Sequence, residues 1–492
     1  MHVPRLSQKV VVGAVFVSAM FMNIMDITIV NVALPTIGRD FHIAPTAVDG
    51  IVIAYLVSLA VFIPASGWLG DHFGGKRVLL VAITVFTVGS VLCGLAQSMT
   101  QLVVFRVIQG AGGGMMAPVG MAMLYRVFPP SERVRAASIL TIPTTMAPAL
   151  GPVLGGFLVT NLSWRWIFFV NLPLGIAAVI FGALFLERIG AADAGRFDLL
   201  GFLLGGAGLG LLMYAISKGP FSSWSSPEIE ITGLVGAALL AVFVVVELRT
   251  DQPMVDLRLL SGRLFRSTNG VMFLAAAAFL GMLYLIPLYF QDARGLTPLQ
   301  SGLSTFPEAF GVMIGAQFAS RLIYPRVGPR RHITGGLVGL ALCMLALTQV
   351  TVATNLWLIR ALMFVVGWMM AQVMVPNQAA SFAMIPSESM GRASTFFNTM
   401  RQVGSATGVA VLSTVLIGVG SSHAAGGAAA PDINAYHLAF FTAALFALAG
   451  AAFSLTIHDS DAAETIVRRA PRSRRTPVAP VAEPAHIHER VA

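Results

Sequence analysis

Apolar stretches recur along almost the whole chain, each broken off by charge, by proline and glycine, or by a short polar turn. Each runs to the roughly 20 residues that an α-helix needs to cross a bilayer. Fourteen windows can be drawn, at 10–33, 48–68, 78–97, 101–125, 136–159, 165–186, 198–217, 231–248, 268–290, 301–323, 332–351, 355–380, 394–418 and 437–457. The first lacks a small-residue cleavage site followed by a soluble domain, so it reads as a retained anchor. The pattern predicts an all-α integral membrane protein of fourteen spanning helices.

Composition agrees with that pattern. The chain is 56% hydrophobic and 11% charged, whereas soluble domains carry about 25% charged residues. Cys93 and Cys343 both fall inside apolar windows, where a thiol acts as a small hydrophobe and a disulfide framework is excluded. A net charge of +9 raises nucleic acid as a partner, but position decides otherwise. With both termini in the cytoplasm, 24 of the 31 lysines and arginines lie on the inner side, and only Arg39, Arg165, Lys218 and Arg294 lie outside. This is the positive-inside asymmetry of a multi-pass protein, and membrane lipid replaces nucleic acid as the expected partner.

A shift of 254 residues lays Gly74, Lys76 and Arg77 on Gly328, Arg330 and Arg331, and lays Arg106, Gly113, Met115, Met116 and Ala117 on Arg360, Gly367, Met369, Met370 and Ala371. Many transporters are built from two such halves. The expected organisation is a six-helix bundle over 1–190, an inserted helix pair over 191–250, a second six-helix bundle over 251–458, and a disordered cytoplasmic tail over 459–492. The stretch 218–230, with Trp224, reads as an outer loop carrying an interfacial aromatic. His486 and His488 read as solvated rather than as metal ligands.

Charge inside these windows is where chemistry is expected, because an intramembrane ionisable group needs a cavity or a partner. Asp26 is the first candidate, either as a switchable proton site or as a structural partner of an arginine. Arg106 stands at similar depth and either pairs with Asp26 or snorkels to the outer interface. Glu308, directly after Pro307, is the acid of the second half. Asn31, Tyr55, Gln109, Asn398 and Arg401 complete the candidate cavity, with inter-helix hydrogen bonding expected of Arg401 and Arg360 placed as the equivalent of Arg106. The turn from Gly67 to Arg77 combines glycines with Asp71, Lys76 and Arg77. Asp71 is expected to cap the following helix while the bases meet helix C-terminal carbonyls or other carboxylates, as a charged latch or as a tight turn with inside-positive charge. Pro148, Gly151, Pro152, Gly155 and Gly156 should let the fifth helix bend and pack closely. The run Gly110 to Gly114 follows no strand and precedes no Lys-Ser/Thr, so it reads as close packing rather than a phosphate loop. No metal cluster or nucleophile constellation supports an enzyme.

Together these segments resemble the major facilitator superfamily, and within it the fourteen-helix drug:proton antiporters of bacterial multidrug efflux. The resemblance rests on Asp26 to Pro35 in the first helix, Gly67 to Arg77 in the loop after the second, Arg106 to Gly114 in the fourth and Gly151 to Gly156 in the fifth. It implies two six-helix bundles with two inserted helices, working as a monomer in the bacterial cytoplasmic (inner) membrane. It further implies export of small amphipathic or cationic compounds, driven by the proton gradient without a cofactor. The alternatives are a dedicated exporter of one lipid, sugar or secondary metabolite, and a non-transporting receptor. By the resemblance Asp26 is the proton or cation acid, Arg106 its coupling partner, and Glu308 a substrate-recognition acid. Gly67, Asp71, Gly74, Lys76 and Arg77 make a gating latch, and the fifth-helix glycines an interface that limits leak. The chain departs from the pattern with His72 and Gly75 in the latch, with Pro325 where the second copy would carry its acid, and with Asp49 and Gly50 where an aromatic is usual.

Overall fold

A computed structural model describes residues 6–43, 48, 50–187, 196–420 and 433–466. Each apolar window lies on a helix: α1 (Gln8–Asp40), α2 (Gly50–Phe73), α3 (Gly75–Leu95), α4 (Met99–Val127), α5 (Arg133–Asn161), α6 (Asn171–Phe185, preceded by the turn Trp166–Phe169), α7 (Leu199–Ser222), α8 (Pro227–Arg249), α9 (Arg263–Leu288), α10 (Pro298–Phe318), α11 (Pro329–Leu347), α12 (Leu356–Ser381), α13 (Met390–Gly420) and α14 (Ile433–Ser454). Among the described residues, 12 helices are long and apolar enough to cross a membrane by length and composition. The other two, α5 and α10, are of spanning length at 29 and 21 residues.

Helix contacts recur at the 254-residue offset. In the first half α1 lies on α5, α2 and α3 lie on α4, and α3 on α6; in the second α9 lies on α13, α10 and α11 lie on α12, and α11 on α14. Two seams join the halves, α2 against α13 and α5 against α10, and the equivalence exchanges one seam for the other. The inserted helix α7 packs on α2 and α13, while α8 packs chiefly on α7. Only 17% of the apolar window of α8 is buried within the protein, and side chains such as Leu234 and Ile231 face outward, as a lipid-facing helix allows.

The structure corrects two boundaries. The outer loop expected over 218–230 shrinks to residues 223–226, because α7 runs through Pro220 to Ser222 and Pro227 opens α8. The tail expected to be disordered from Asp459 begins with an ordered 3-10 helix, Asp459–Thr465, in which Ala462 is fully buried. Residues 467–492, including His486 and His488, lie outside the described residues, as does Asp49. Gly74 and Gly328, paired by the repeat, both adopt left-handed φ, of 86° and 79°, and both immediately precede a helix. That is the backbone conformation for which glycine carries no Cβ penalty.

Candidate functional site

The buried charge of the first half is held at one point by five helices. Asp26 on α1 and Arg106 on α4 are both 0% exposed, and Arg106 Nη1 donates to Asp26 Oδ2 at 2.5 Å. Gln109, one turn along α4, donates from Nε2 to Asp26 Oδ1 at 2.8 Å and accepts from Arg106 Nη1 at 2.9 Å. Asn171, at the start of α6, donates from Nδ2 to Asp26 Oδ1 at 3.1 Å and to Ser90 Oγ on α3 at 3.0 Å. Arg106 also donates to the Ile51 carbonyl of α2, and its guanidinium carbon sits 4.3 Å from the Tyr55 ring centroid. Cys93, given no role from sequence, donates its thiol to Gln109 Oε1 at 3.6 Å. A buried ion pair tolerates its desolvation only with such additional hydrogen bonds.

Asn171 and Ser90 escape sequence reasoning. A neutral amide in the apolar run Phe168 to Leu174 is the one available signal for Asn171, and Ser90 leaves none. Among the described residues Arg106 Nη2, Tyr55 Oη, Asn23 Nδ2 and Asn171 Oδ1 are buried without a hydrogen-bond partner. Asn23 Nδ2 and Tyr55 Oη converge over Gly113, where a Cβ would stand 2.6 and 2.8 Å from them. Asn31 lies exposed further along α1.

The second half does not repeat this pair. Leu280 stands 254 residues on from Asp26, and Arg360, the counterpart of Arg106, is half-buried, donating to Ser304 Oγ at 3.3 Å and lying over the Trp357 ring. Glu308 is buried on α10 with no ion-pair or hydrogen-bond partner among the described residues, so it is not joined to the Asp26 network. Asn398 on α13 donates to the Ser394 carbonyl at 2.9 Å and faces Met121 Sδ of α4 in the first half. The hydrogen bonding expected of Arg401 is not found among the described residues, where it stands half-buried.

The end of the bundle carrying Lys76, Arg126 and Arg133, called the basic end here, is drawn shut. Asp71 does not cap the next helix as expected. It lies inside α2, where Arg126 of α4 pairs with it at 2.6 Å. The same carboxylate faces the start of α13, since a Cβ on Gly391 would stand 2.7 Å from Asp71 Oδ2. Ionised, it suits a helix N-terminus. Gly67 lets α2 meet Thr395 and the Gly391 carbonyl. Lys76 donates to the Ala183 and Leu186 carbonyls at the end of α6, and Arg77 is exposed. Arg126 reaches the Ser387 carbonyl, Arg133 the Phe382 and Ala383 carbonyls, Ser394 the Pro118 carbonyl, and Tyr125 stacks on Phe382.

On α5, Gly151 and Gly155 press against Thr28 and Ile29 of α1, within one turn of Asp26, whereas nothing lies within 4 Å of a Cβ on Gly156. The side chains of Pro148 and Pro152 lie outside the described residues.

A family model described as Major Facilitator Superfamily matches residues 16–409. The chain is 33% identical over 408 residues to the Multidrug resistance protein B homolog of Mycobacterium tuberculosis (strain ATCC 25618 / H37Rv), with 82% of this chain and 75% of that protein covered. It is 34% identical over 407 residues to the Multidrug resistance protein Stp of the same strain, covering 81% and 74%. The crystal structure of the human organic anion transporter MFSD10 (TETRAN) superposes with a TM-score of 0.64, covering 91% of this chain and 99% of that one. At 15% identity that likeness concerns the fold alone.

Proposed function

We propose that this chain, which belongs to the Major Facilitator Superfamily and is a multi-pass membrane transporter of small molecules, exports amphipathic or cationic compounds from a bacterial cytoplasm in exchange for protons. The observation that carries the reading is the fully buried Asp26, met at once by Arg106, Gln109 and Asn171. Its relatives named for multidrug resistance supply the substrate class.

The chemistry runs through charge. Ionised Asp26 holds Arg106 and two amides; a proton arriving at the carboxylate removes the charge that those donors point at and loosens α1, α4 and α6 together. A cationic substrate would make the same claim on the carboxylate, so proton and substrate compete. Where a proton weakens substrate binding by about 3 kcal/mol, the two affinities differ roughly a hundredfold and the two fluxes are coupled. With the basic end taken as cytoplasmic by its charge, rocking of the halves about the α2–α13 and α5–α10 seams exposes the network to each side in turn. Glu308 serves as a second acid, and Asn31, Tyr55, Gln109, Asn398 and Arg401 as cavity contacts. Gly67, Asp71, Gly74, Lys76 and Arg77 work with Arg126 as the latch, and the transporter acts as a monomer in the inner membrane.

The test is proton release from proteoliposomes on adding cationic dyes, comparing native protein with Asp26→Asn. Dye-dependent release is expected in the native protein and lost in the variant. Release that survives at native rate sinks the role of Asp26. Removing one partner of a fully buried pair costs about 3–5 kcal/mol, so thermal unfolding of the variant is followed in the same preparation.

A further inference from the structure

Beyond α14 the chain turns back and binds the basic end. Asp459 Oδ1 accepts the backbone N–H of Arg330 at 2.8 Å, in the first turn of α11. Its carboxylate lies directly over Gly328, where a Cβ would stand 2.9 Å from Asp459 Cγ. The helix has no capping side chain of its own, because its N-cap is Gly328 and Pro329 follows; Asp459 supplies the missing acceptor from elsewhere in the chain. Asp461 pairs with Arg263 at the start of α9 at 2.9 Å, and Thr465 shares a 2.6 Å hydrogen bond with Tyr324. Ile466 then packs on a cluster that mixes Val134 and Ala137 of α5 with Val312, Ala316 and Tyr324 of the second half. Glu464 stands within electrostatic reach of Arg133, whose guanidinium bridges to the end of α12.

The internal repeat explains why such a segment is useful. Asp71 is the acid of the first latch, and the same 254-residue shift puts Pro325 in its place in the second. We infer that residues 459–466 form a strap that brings a carboxylate, Asp459, to the turn where Pro325 provides none, crosses from the second half to α5, and holds the basic end shut. The strap rests on the alternating-access reading above, since its purpose is to weight one of two states, and it releases when that end opens.

The experiment places spin labels at Arg135→Cys on α5 and Arg331→Cys on α11, both exposed positions on opposite halves, in full-length protein in nanodiscs. Native protein should show a short and a long separation with the short one dominant. Asp459→Ala removes the acceptor for the Arg330 N–H and should raise the long-to-short ratio about tenfold. Thr465→Val, a milder change, should move the ratio the same way by less, and keeps the strap testable if Asp459→Ala folds poorly. Two separations whose ratio ignores both substitutions overturn the strap alone. One invariant separation at every pH and with every added compound overturns alternating access, and the strap with it.

Discussion

At the scale of single residues, the network around Asp26 is organised by how many donors the carboxylate can hold in a dry site. Asn171 is the informative one to remove, because it touches Asp26 and Ser90 without carrying charge. A hydrogen bond to a charged group contributes about 1.5–3 kcal/mol. Asn171→Ala should therefore loosen the hold of the network on Asp26 and slow substrate-dependent proton release about tenfold at a fixed pH. An unchanged rate with normal folding would show that Asn171 only packs. Asp26 and Arg106 were legible in the sequence because a full charge in an apolar window is too costly to be incidental. Asn171 and Ser90 were not, since neutral polar side chains in lipid are common enough to carry no such signal. Asp71 was legible as the acid of a charged turn, but the cap expected of it was wrong: Arg126 looks in sequence like one more inside-positive charge, and only the fold turns it toward α2.

At the scale of elements, hydropathy located every helix but not its ends. Windows of about 20 residues report the lipid-soluble part alone, whereas α1 continues through polar turns to Asp40 and α13 starts as early as Met390. Glycine then sets how closely the helices meet. On α4, Gly110 and Gly114 abut the Tyr55 and Leu59 carbonyls of α2 while Gly112 abuts the Phe86 amide of α3, so the run behaves as the packing surface expected of it. The fifth-helix motif divides in the same terms. A Cβ on Gly151 would stand 2.1 Å from Thr28 Oγ1, and one on Gly156 meets nothing. Gly151→Ala should lower stability by about 1–3 kcal/mol through overpacking, and Gly156→Ala should be neutral or stabilising by up to about 1 kcal/mol from helix propensity. Thermal unfolding in detergent distinguishes them, and equal effects at the two positions would refute the division.

At the scale of the whole molecule, the repeat predicts architecture better than chemistry. Its offset places equivalent helices in equivalent contacts and pairs the two left-handed glycines at 74 and 328. Yet Leu280 replaces Asp26, Arg360 meets Ser304 and no carboxylate among the described residues, and Pro325 replaces Asp71. Packing constrains both halves alike because each must bury the same helix faces. Charge is under no such constraint: among the described residues the buried Asp26–Arg106 pair and the Asp71–Arg126 pair both lie in the first half, and the second contributes surfaces that pack against them. Closure is visible where Ser66 Oγ of α2 lies 3.4 Å from Thr395 Oγ1 of α13, both fully buried. Side-chain oxygens in contact across the seam put two thiols at these positions within reach of each other, given the rotamer freedom a disulfide needs. Ser66→Cys with Thr395→Cys should therefore cross-link on oxidation, halt export, and recover on reduction, with mass spectrometry confirming the bond. If the cross-linked protein keeps exporting at its reduced rate, the α2–α13 seam does not open during transport, and the gate must be sought at α5 and α10, where the equivalent seam would then do the moving alone.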